Sequence, residues 1–502
     1  MPPIPSGVTM RSSLVRALTV LAALQSVLVA PLAGQVVPIR TVPVASGDQF
    51  LTLPSTNLGM AGVRLAVNDS LGDPWSNPAK GVFIGESSFL GSPTFYGISN
   101  GGGSGKTFPL AGMFRGAEWF GGASLALQQI DNSSGNDFFI DSWVDWIGPA
   151  PLLSDASSRN LYASGFVGRR LSAGPWSIGL AASSAHLDAV DGVDLLYASA
   201  NRIEQSGSAS DVRLGLYRAG ARERLAIVLL HNRISMTHDV TYVDVTWDDP
   251  MRPPVAEARI EINEDKTRTM GAQVSWDRDL DAPGWRVGAA FTVNRKSHPK
   301  IPNYSIQNIP RDPGETWAYE AGFGFSRKRG PTTFGIDLMV QPIWSETWQE
   351  ADEAVVTADG AVIEVGGQTI ENEFFFTNVV LRTGLSHQLE DIGLQAGLEV
   401  RSYDYTLEQV NHIEGSFRDQ DESWMEWTPT FGATLRFSDL ELRYAGRLTT
   451  GTGQPGTAPA FRGEAAAAFS PRSDFIVAPE APLTLRDASV LTHQVSVRIP
   501  VR

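Results

Sequence analysis

The side chains that could carry chemistry in this chain are acidic residues, serines and histidines. The seven His residues are scattered, and no two are spaced like a pair of zinc ligands. The chain also has no Gly-x-Ser-x-Gly elbow. A hydrolase would therefore need a Ser and a His from neighbouring strands, with Ser386 beside His387, or His493, as candidates. A polar wall or turn is the favoured interpretation, so we expect no enzyme, no cofactor and no metal.

Two further features could bind ligands, but neither forms a recognisable site. The run Asn100–Thr107 (NGGGSGKT) resembles a phosphate loop, but Asn100 replaces the first Gly and Phe108-Pro109 does not open a helix. We interpret this run as a flexible loop or a hairpin connection. Acidic residues gather at 244–265 and 346–373, where carboxylates could bind divalent cations. Because no Asp-x-Asp-x-Asp-Gly loop is present, solvated charge is the favoured interpretation.

Composition restricts the class of protein. The chain has 502 residues, no Cys and a formal net charge of −15. The absence of Cys excludes disulfides, thiolate metal sites and Cys nucleophiles. The acidic balance argues against a nucleic-acid partner, because phosphate recognition needs clustered Lys and Arg. The mean hydropathy of −0.10 argues against a multi-helix membrane protein but is compatible with alternating barrel strands.

The first 34 residues have the pattern of a secretory signal peptide. Arg11 and Arg16 precede an apolar run over 17–30, and Ala33-Gly34 offers a cleavage site before Gln35. The alternative is a single membrane anchor, although the run is shorter than the roughly 20 residues that a spanning helix needs. Either Met1 or Met10 could be the true start. We expect export of the mature chain to the bacterial outer membrane.

From about residue 87 the apolar residues recur with a period of two, as in half-buried strands. Ile392, Leu394, Ala396, Leu398 and Val400 are a clear example. Tight polar turns alternate with long connections at Asp131–Asn160, Leu187–Ser208, Thr237–Asp265, Lys296–Glu315, Glu346–Asn372, Leu407–Glu422 and Thr450–Arg486. This alternation favours an all-β transmembrane antiparallel barrel of about 14–16 strands over a soluble sandwich. Aromatic residues beside the tight turns predict an interfacial girdle of Trp176, Tyr217, Trp276, Trp285, Phe325, Phe334 and Phe437.

The segment before the first strand carries a family resemblance. Leu58–Asp69 (LGMAGVRLAVND) and Asp73–Gly81 (DPWSNPAKG) resemble the start of the FadL-type outer-membrane transport family and its PorV-like relatives. In that family the segment folds inside the barrel as a hatch. The resemblance implies a hatch at 35–86, with Gly59, Gly62, Asn77, Pro78 and Ala79 as its residues, and a barrel at 87–502. The alternative is a periplasmic turn before the first strand.

The polar positions of the alternating strands predict a lumen rich in arginine. The candidates for lining it are Arg286, Arg382, Glu399, Arg401, Arg436, Arg443 and Arg447. In the first long connection, Phe139 and Trp143 lie on one helical face and Trp146 is nearby, so we expect this loop to capture a hydrophobic ligand. The leading hypothesis is passive uptake of hydrophobic or amphipathic small molecules by a barrel in contact with outer-membrane lipid. The alternative is a non-transporting PorV-like barrel that anchors or assists a secretion or surface complex.

Overall fold

The structure is a computed structural model that describes residues 40, 43–131, 157–172, 174–190, 202–246, 255–298, 314–351, 353–455 and 485–501. Most of these residues lie in strands. The strands are β1 (Ser88–Gly91), β2 (Thr94–Ile98), β3 (Ser104–Arg115), β4 (Trp119–Asp131), β5 (Ser157–Arg170), β6 (Trp176–Leu187), β7 (Arg202–Ala219), β8 (Glu223–Thr246), β9 (Val255–Asp279), β10 (Trp285–His298), β11 (Gly314–Arg329), β12 (Thr332–Glu350), β13 (Val355–Val356), β14 (Val362–Ile363), β15 (Gln368–Leu389), β16 (Ile392–Asn411), β17 (Ser416–Arg436), β18 (Glu441–Pro455) and β19 (Leu485–Pro500). Short helical turns occupy Leu58–Met60, Asp73–Ser76 and Pro78–Phe83.

The strands close into an antiparallel barrel of 16 strands. β1 and β2 count as one strand, because both lie between β19 and β3 in one uninterrupted register. β13 and β14 form a separate small hairpin between β12 and β15. The predicted all-β barrel and its strand count are therefore confirmed, at the upper end of the predicted range.

Each strand presents one apolar and one mostly polar face. On β12, Leu338 and Trp344 are exposed on the outside, whereas Asp337 and Gln341 alternate with them and are buried. The same alternation places large apolar side chains on the outer surface of the whole wall, as a lipid-facing band requires. Among the described residues, no helix is long and apolar enough to span a membrane.

Two of the predicted long connections are wrong. Over Thr237–Asp265 the chain continues as β8 and β9, and over Leu407–Glu422 it continues as β16 and β17 with a short turn at 412–415. Strand pairing rests on backbone hydrogen bonds, which do not require apolar side chains. Strands that extend past the apolar band can therefore be polar on both faces, and this composition resembles a loop.

The aromatic girdle is correct only in part. Trp285, Phe325 and Phe334 lie on outer positions beside the tight turns. The ring centroids of Trp285 and Phe325 are 5.9 Å apart, and those of Phe325 and Phe334 are 6.5 Å apart. The prediction for Tyr217 is wrong, because its side chain is buried on the inner face. Its ring packs edge-on against Phe83, with the two ring centroids 5.1 Å apart. The prediction considered only the distance from a turn and not the face of the strand.

A second outer row of aromatic rings, not predicted, lies at the opposite rim. Trp317, Tyr319, Trp344 and Phe375 follow one another across β11, β12 and β15, with centroids 5.0 to 6.3 Å apart. Aromatic rows at both rims are typical of a membrane-spanning barrel.

Candidate functional site

Residues 57–86, here called the collar, follow the inner wall of the barrel. The collar passes the strands in reverse order and then enters β1. Along it, Gly59 contacts β17, Met60 contacts β15 and β16, Val63 contacts β12, Leu65 contacts β10 and β11, Asn77 contacts β7, Ala79 contacts β6 and β7, and Gly81 contacts β4 and β5. All these contacts lie within a few residues of the tight turns, so the collar surrounds the lumen at the tight-turn end.

The collar packs against a row of inward-facing glycines on the barrel wall. This glycine belt consists of Gly179, Gly215, Gly288, Gly324, Gly335, Gly384, Gly397 and Gly432. A Cβ atom on Gly288 would lie 1.9 Å from the carbonyl oxygen of Leu65, and one on Gly397 would lie 2.5 Å from the carbonyl carbon of Met60. Side chains at these two positions would overlap the collar backbone, so the close approach there depends on glycine.

Hydrogen bonds fix the first half of the collar. The Asp337 carboxylate accepts from the backbone N–H groups of Arg64 at 2.7 Å and Leu65 at 3.2 Å. The Thr430 hydroxyl accepts from the N–H of Ala61 at 2.9 Å and donates to the carbonyl of Gly59 at 3.0 Å. These bonds satisfy backbone groups of an irregular segment that would otherwise be buried without partners.

The second half of the collar is fixed around a capped helical turn. Asn77 is the N-cap, and its Oδ1 accepts from the N–H of Ala79 at 3.0 Å. Ser177 on β6 donates to the carbonyl of Ala79 at 2.9 Å. Asp73 and Lys80 form an ion pair at 3.1 Å. Burial raises the pKa of Asp73, and the Lys80 ammonium acts in the opposite direction.

The residues predicted for the hatch all lie in the collar. Gly59, Asn77, Pro78 and Ala79 are buried against the wall. A Cβ atom on Gly62 would have nothing within 4 Å, and the backbone φ of 69° is the property that favours glycine there. Their function as a hatch stays a prediction.

A charged layer crosses the inner wall next to the belt, on the side away from the tight turns. It contains Arg382, Glu399 and Arg401, with Gln341 and Glu320 beside them. Arg382 Nε donates to Glu399 at 2.5 Å, and Arg401 reaches Glu399 at 3.4 Å and Gln341 at 3.2 Å. Gln341 donates to Glu320 at 2.6 Å. Opposite charges are thus paired within the layer, as buried ions require.

An apolar cluster, here called the aromatic layer, lies further towards the long connections. Its members are Ala318, Ile343, Phe374, Phe376, Tyr405, Leu407 and Trp424. Ile343 is in register with Phe376, and Phe376 with Tyr405. The rings of Phe374 and Phe376 stack at 5.7 Å, and Tyr405 stacks on Trp424 at 5.7 Å. Trp424 is half-buried, whereas Phe374, Phe376 and Tyr405 are buried.

The other predicted lumen residues occupy inner positions and are also paired. Arg286 donates to Asp279 at 2.7 Å and to Asn68 of the collar at 3.2 Å. Arg447 donates to Asp48 at 3.1 Å. Arg436 and Arg443 both donate to Glu441, at 3.0 and 2.6 Å. Whether these arginines line a path for a ligand stays a prediction.

The predicted ligand-capture residues Phe139, Trp143 and Trp146 lie outside the described residues. Sequence reasoning missed the aromatic layer, although one signal was available. The run Phe374-Phe375-Phe376 is apolar at successive positions and so interrupts the alternation. In a strand, such a run places apolar rings on both faces.

The candidate Ser–His chemistry has no support in the side-chain contacts. His387 Nδ1 lies 2.8 Å from the hydroxyl of Thr332, and His493 Nδ1 lies 2.6 Å from the hydroxyl of Tyr444. Within the described ranges, no three His, Asp or Glu side chains are grouped so that they could hold a metal ion.

In sequence, no protein-family model and no curated protein matches this chain. In structure, it is similar to a FadL homologue of Pseudomonas aeruginosa, with 11% identity and a TM-score of 0.44 over 92% of this chain and 100% of that chain. It is also similar to the Ralstonia pickettii toluene transporter TbuX (9% identity, TM-score 0.38, 89% and 97% covered). A third similar structure is the Pseudomonas putida toluene transporter TodX (10%, 0.37, 88% and 96%). The FadL-type resemblance is thus confirmed as a structural similarity at low identity, which assigns no ligand to this chain.

Proposed function

We propose that this protein is an outer-membrane barrel for passive uptake of hydrophobic or amphipathic small molecules. The aromatic layer is the proposed ligand site, and the collar is the proposed hatch that closes the tight-turn end. Residues 1–34 would be the export signal removed before assembly. The outer-loop residues Phe139, Trp143 and Trp146 would make the first contact with the ligand.

The observation that carries the proposal is the chemistry of the inner face at the aromatic layer. Inward positions of an outer-membrane barrel are usually polar, because they face water or a polar plug. Here four aromatic side chains, Phe374, Phe376, Tyr405 and Trp424, share the inner face with Leu407 and Ile343. Trp424 is the half-buried member, and its ring provides the surface on which an apolar ligand would first pack.

Binding of an apolar probe to matched tryptophan variants tests this site. Trp424 and Trp427 lie on the same strand but on opposite faces, since Trp427 is 44% exposed on the outer surface. We expect Trp424→Ala to weaken binding of N-phenylnaphthylamine roughly tenfold or more, because a buried aromatic contact is worth about 1.5–3 kcal/mol. Trp427→Ala is the control and should bind like the wild type. The measurement is fluorescence titration in nanodiscs, with empty nanodiscs subtracted.

Equal binding by both variants and the wild type would contradict the aromatic layer as the site. Phe376→Ala provides a second variant if Trp424→Ala fails to assemble. The outer-loop contact is tested separately with the Trp143→Ala, Trp146→Ala double variant. It should slow uptake into proteoliposomes and leave the equilibrium affinity of the probe unchanged.

A further inference from the structure

Two arginines face each other on the outer surface of the barrel without an acidic partner. Arg233 on β8 is directly opposite Arg268 on β9 in the strand register. Both side chains are exposed, while their neighbours Asn232 and Thr269 are buried on the inner face. Within the part of the chain that the structure describes, neither arginine has an ion pair or a side-chain hydrogen bond. Like charges directly opposite each other across two strands are destabilising, so this arrangement calls for an anion.

The pair lies where the apolar band of the outer surface ends. On the same two strands, Met270 and Leu229 are exposed apolar residues on the tight-turn side of the pair. The exposed His231 lies between Leu229 and Arg233, directly opposite Met270. On the next strand, Trp285 marks the tight-turn rim and Arg295 follows the last apolar outer position. The span from Trp285 to Arg295 is roughly 33 Å along the strand, or about 25 Å across the membrane at the usual tilt. Arg233 and Arg268 therefore lie at the headgroup level of the outer leaflet.

The surroundings make this spot basic in an acidic protein. Arg295 is neutralised by Glu315, with N–O distances of 2.5 and 2.8 Å, and its guanidinium lies 5.6 Å from the ring of Trp317. Lys266 is paired with Glu264. These pairs leave the charges of Arg233 and Arg268 uncompensated, although the chain as a whole carries −15.

We propose that Arg233 and Arg268 together bind a phosphate group of an anionic lipid in the outer leaflet. The planar guanidinium groups of arginine match the oxygens of a phosphate, with two parallel hydrogen bonds from each. The apolar outer residues below the pair would contact the acyl chains, and Trp317 would lie at the interface. The inference rests on the outer-membrane location in the proposed function, but not on ligand uptake.

Native mass spectrometry of the purified barrel in a neutral detergent tests the site, with diphosphorylated lipid A as the probe. The Arg233→Gln, Arg268→Gln variant should bind it roughly thirtyfold more weakly than the wild type. The control variant, Arg218→Gln, Arg278→Gln, removes the same charge from exposed positions at the tight-turn rim. It should bind lipid A like the wild type. Zwitterionic phosphatidylcholine should bind all three proteins equally.

Three results would overturn the proposal. Unchanged lipid A binding by the Arg233, Arg268 variant would show that the pair is not the site. Equal losses in both double variants would show general attraction by charge. Displacement of lipid A by an equimolar amount of inorganic phosphate would show a site for free anions and not for a lipid. Heat-modified migration on gels verifies that each variant has formed a barrel, and apolar-probe binding verifies the aromatic layer independently.

Discussion

The same strands carry two very different inner surfaces, eight residues apart on each strand. At the glycine belt, Gly335, Gly384 and Gly397 are in register and lie against the collar, Gly384 and Gly397 against the backbone of Met60 and Gly335 against the side chain of Val63. At the aromatic layer, Ile343, Phe376 and Tyr405 are in register and touch one another through large side chains. One surface fits a fixed segment of the chain itself, whereas the other presents the chemistry of a hydrophobic binding site.

The difference shows how one barrel wall can bind both a permanent segment of its own chain and an exchangeable ligand. A permanent occupant can be held by backbone hydrogen bonds and by the absence of side chains. An exchangeable apolar ligand gains free energy only from side-chain surface that it covers. The charged layer of Arg382, Glu399 and Arg401 separates the two surfaces, and both of its arginines pair with Glu399.

Removing the buried carboxylate of the charged layer should have the largest effect. Glu399→Gln leaves the guanidinium groups of Arg382 and Arg401 without their acidic partner, both on buried or nearly buried side chains. We expect a loss of about 3–5 kcal/mol in the free energy of unfolding. Urea unfolding in lipid vesicles measures it. The control is Glu118→Gln, because Glu118 and its partner Arg169 are both about half exposed, and it should lose less than about 1 kcal/mol.

Filling the glycine belt should displace the collar and leave the aromatic layer intact. A valine at Gly288 would overlap Leu65, which we expect to cost about 1–3 kcal/mol or more. The collar contains Arg64 and Lys80, so trypsin should cleave it faster in Gly288→Val than in the wild type. Gly97→Val is the control, because nothing lies within 4 Å of a Cβ at Gly97. Equal cleavage of the two variants would argue that the belt does not hold the collar.

Removing one cap of the collar should have the smallest effect. Asn77→Ala loses the hydrogen bond from the N–H of Ala79, which we expect to cost about 1 kcal/mol. Asn77→Ser keeps a side-chain oxygen that can cap the turn, so its free energy of unfolding should fall by only roughly a few tenths of a kcal/mol. The readout is again urea unfolding. A loss of several kcal/mol in Asn77→Ala would mean that the second half of the collar holds the barrel together.

Period-two alternation predicted the strands, and the alternation of tight turns with long connections predicted that the strands form a barrel. Ile392–Arg401 is an example, and it lies in β16 as expected. The path of the collar could not be read in the same way. Gly397 contacts Met60 from more than three hundred residues away in sequence, and within its own strand it looks like any small residue. The extension of β8 and β9 past the apolar band could not be predicted either, because the strand residues beyond the band are polar.

The central claim is that the lumen holds an apolar ligand site above a closed collar. Conductance of the purified, refolded protein in a planar bilayer tests the closure directly, beside a variant that lacks Gly59–Gly81. We predict no steady conductance from the intact barrel and an open, conducting pore after the deletion. Protease protection of the inserted intact protein verifies that it spans the bilayer. Steady conductance of the intact protein would contradict the account.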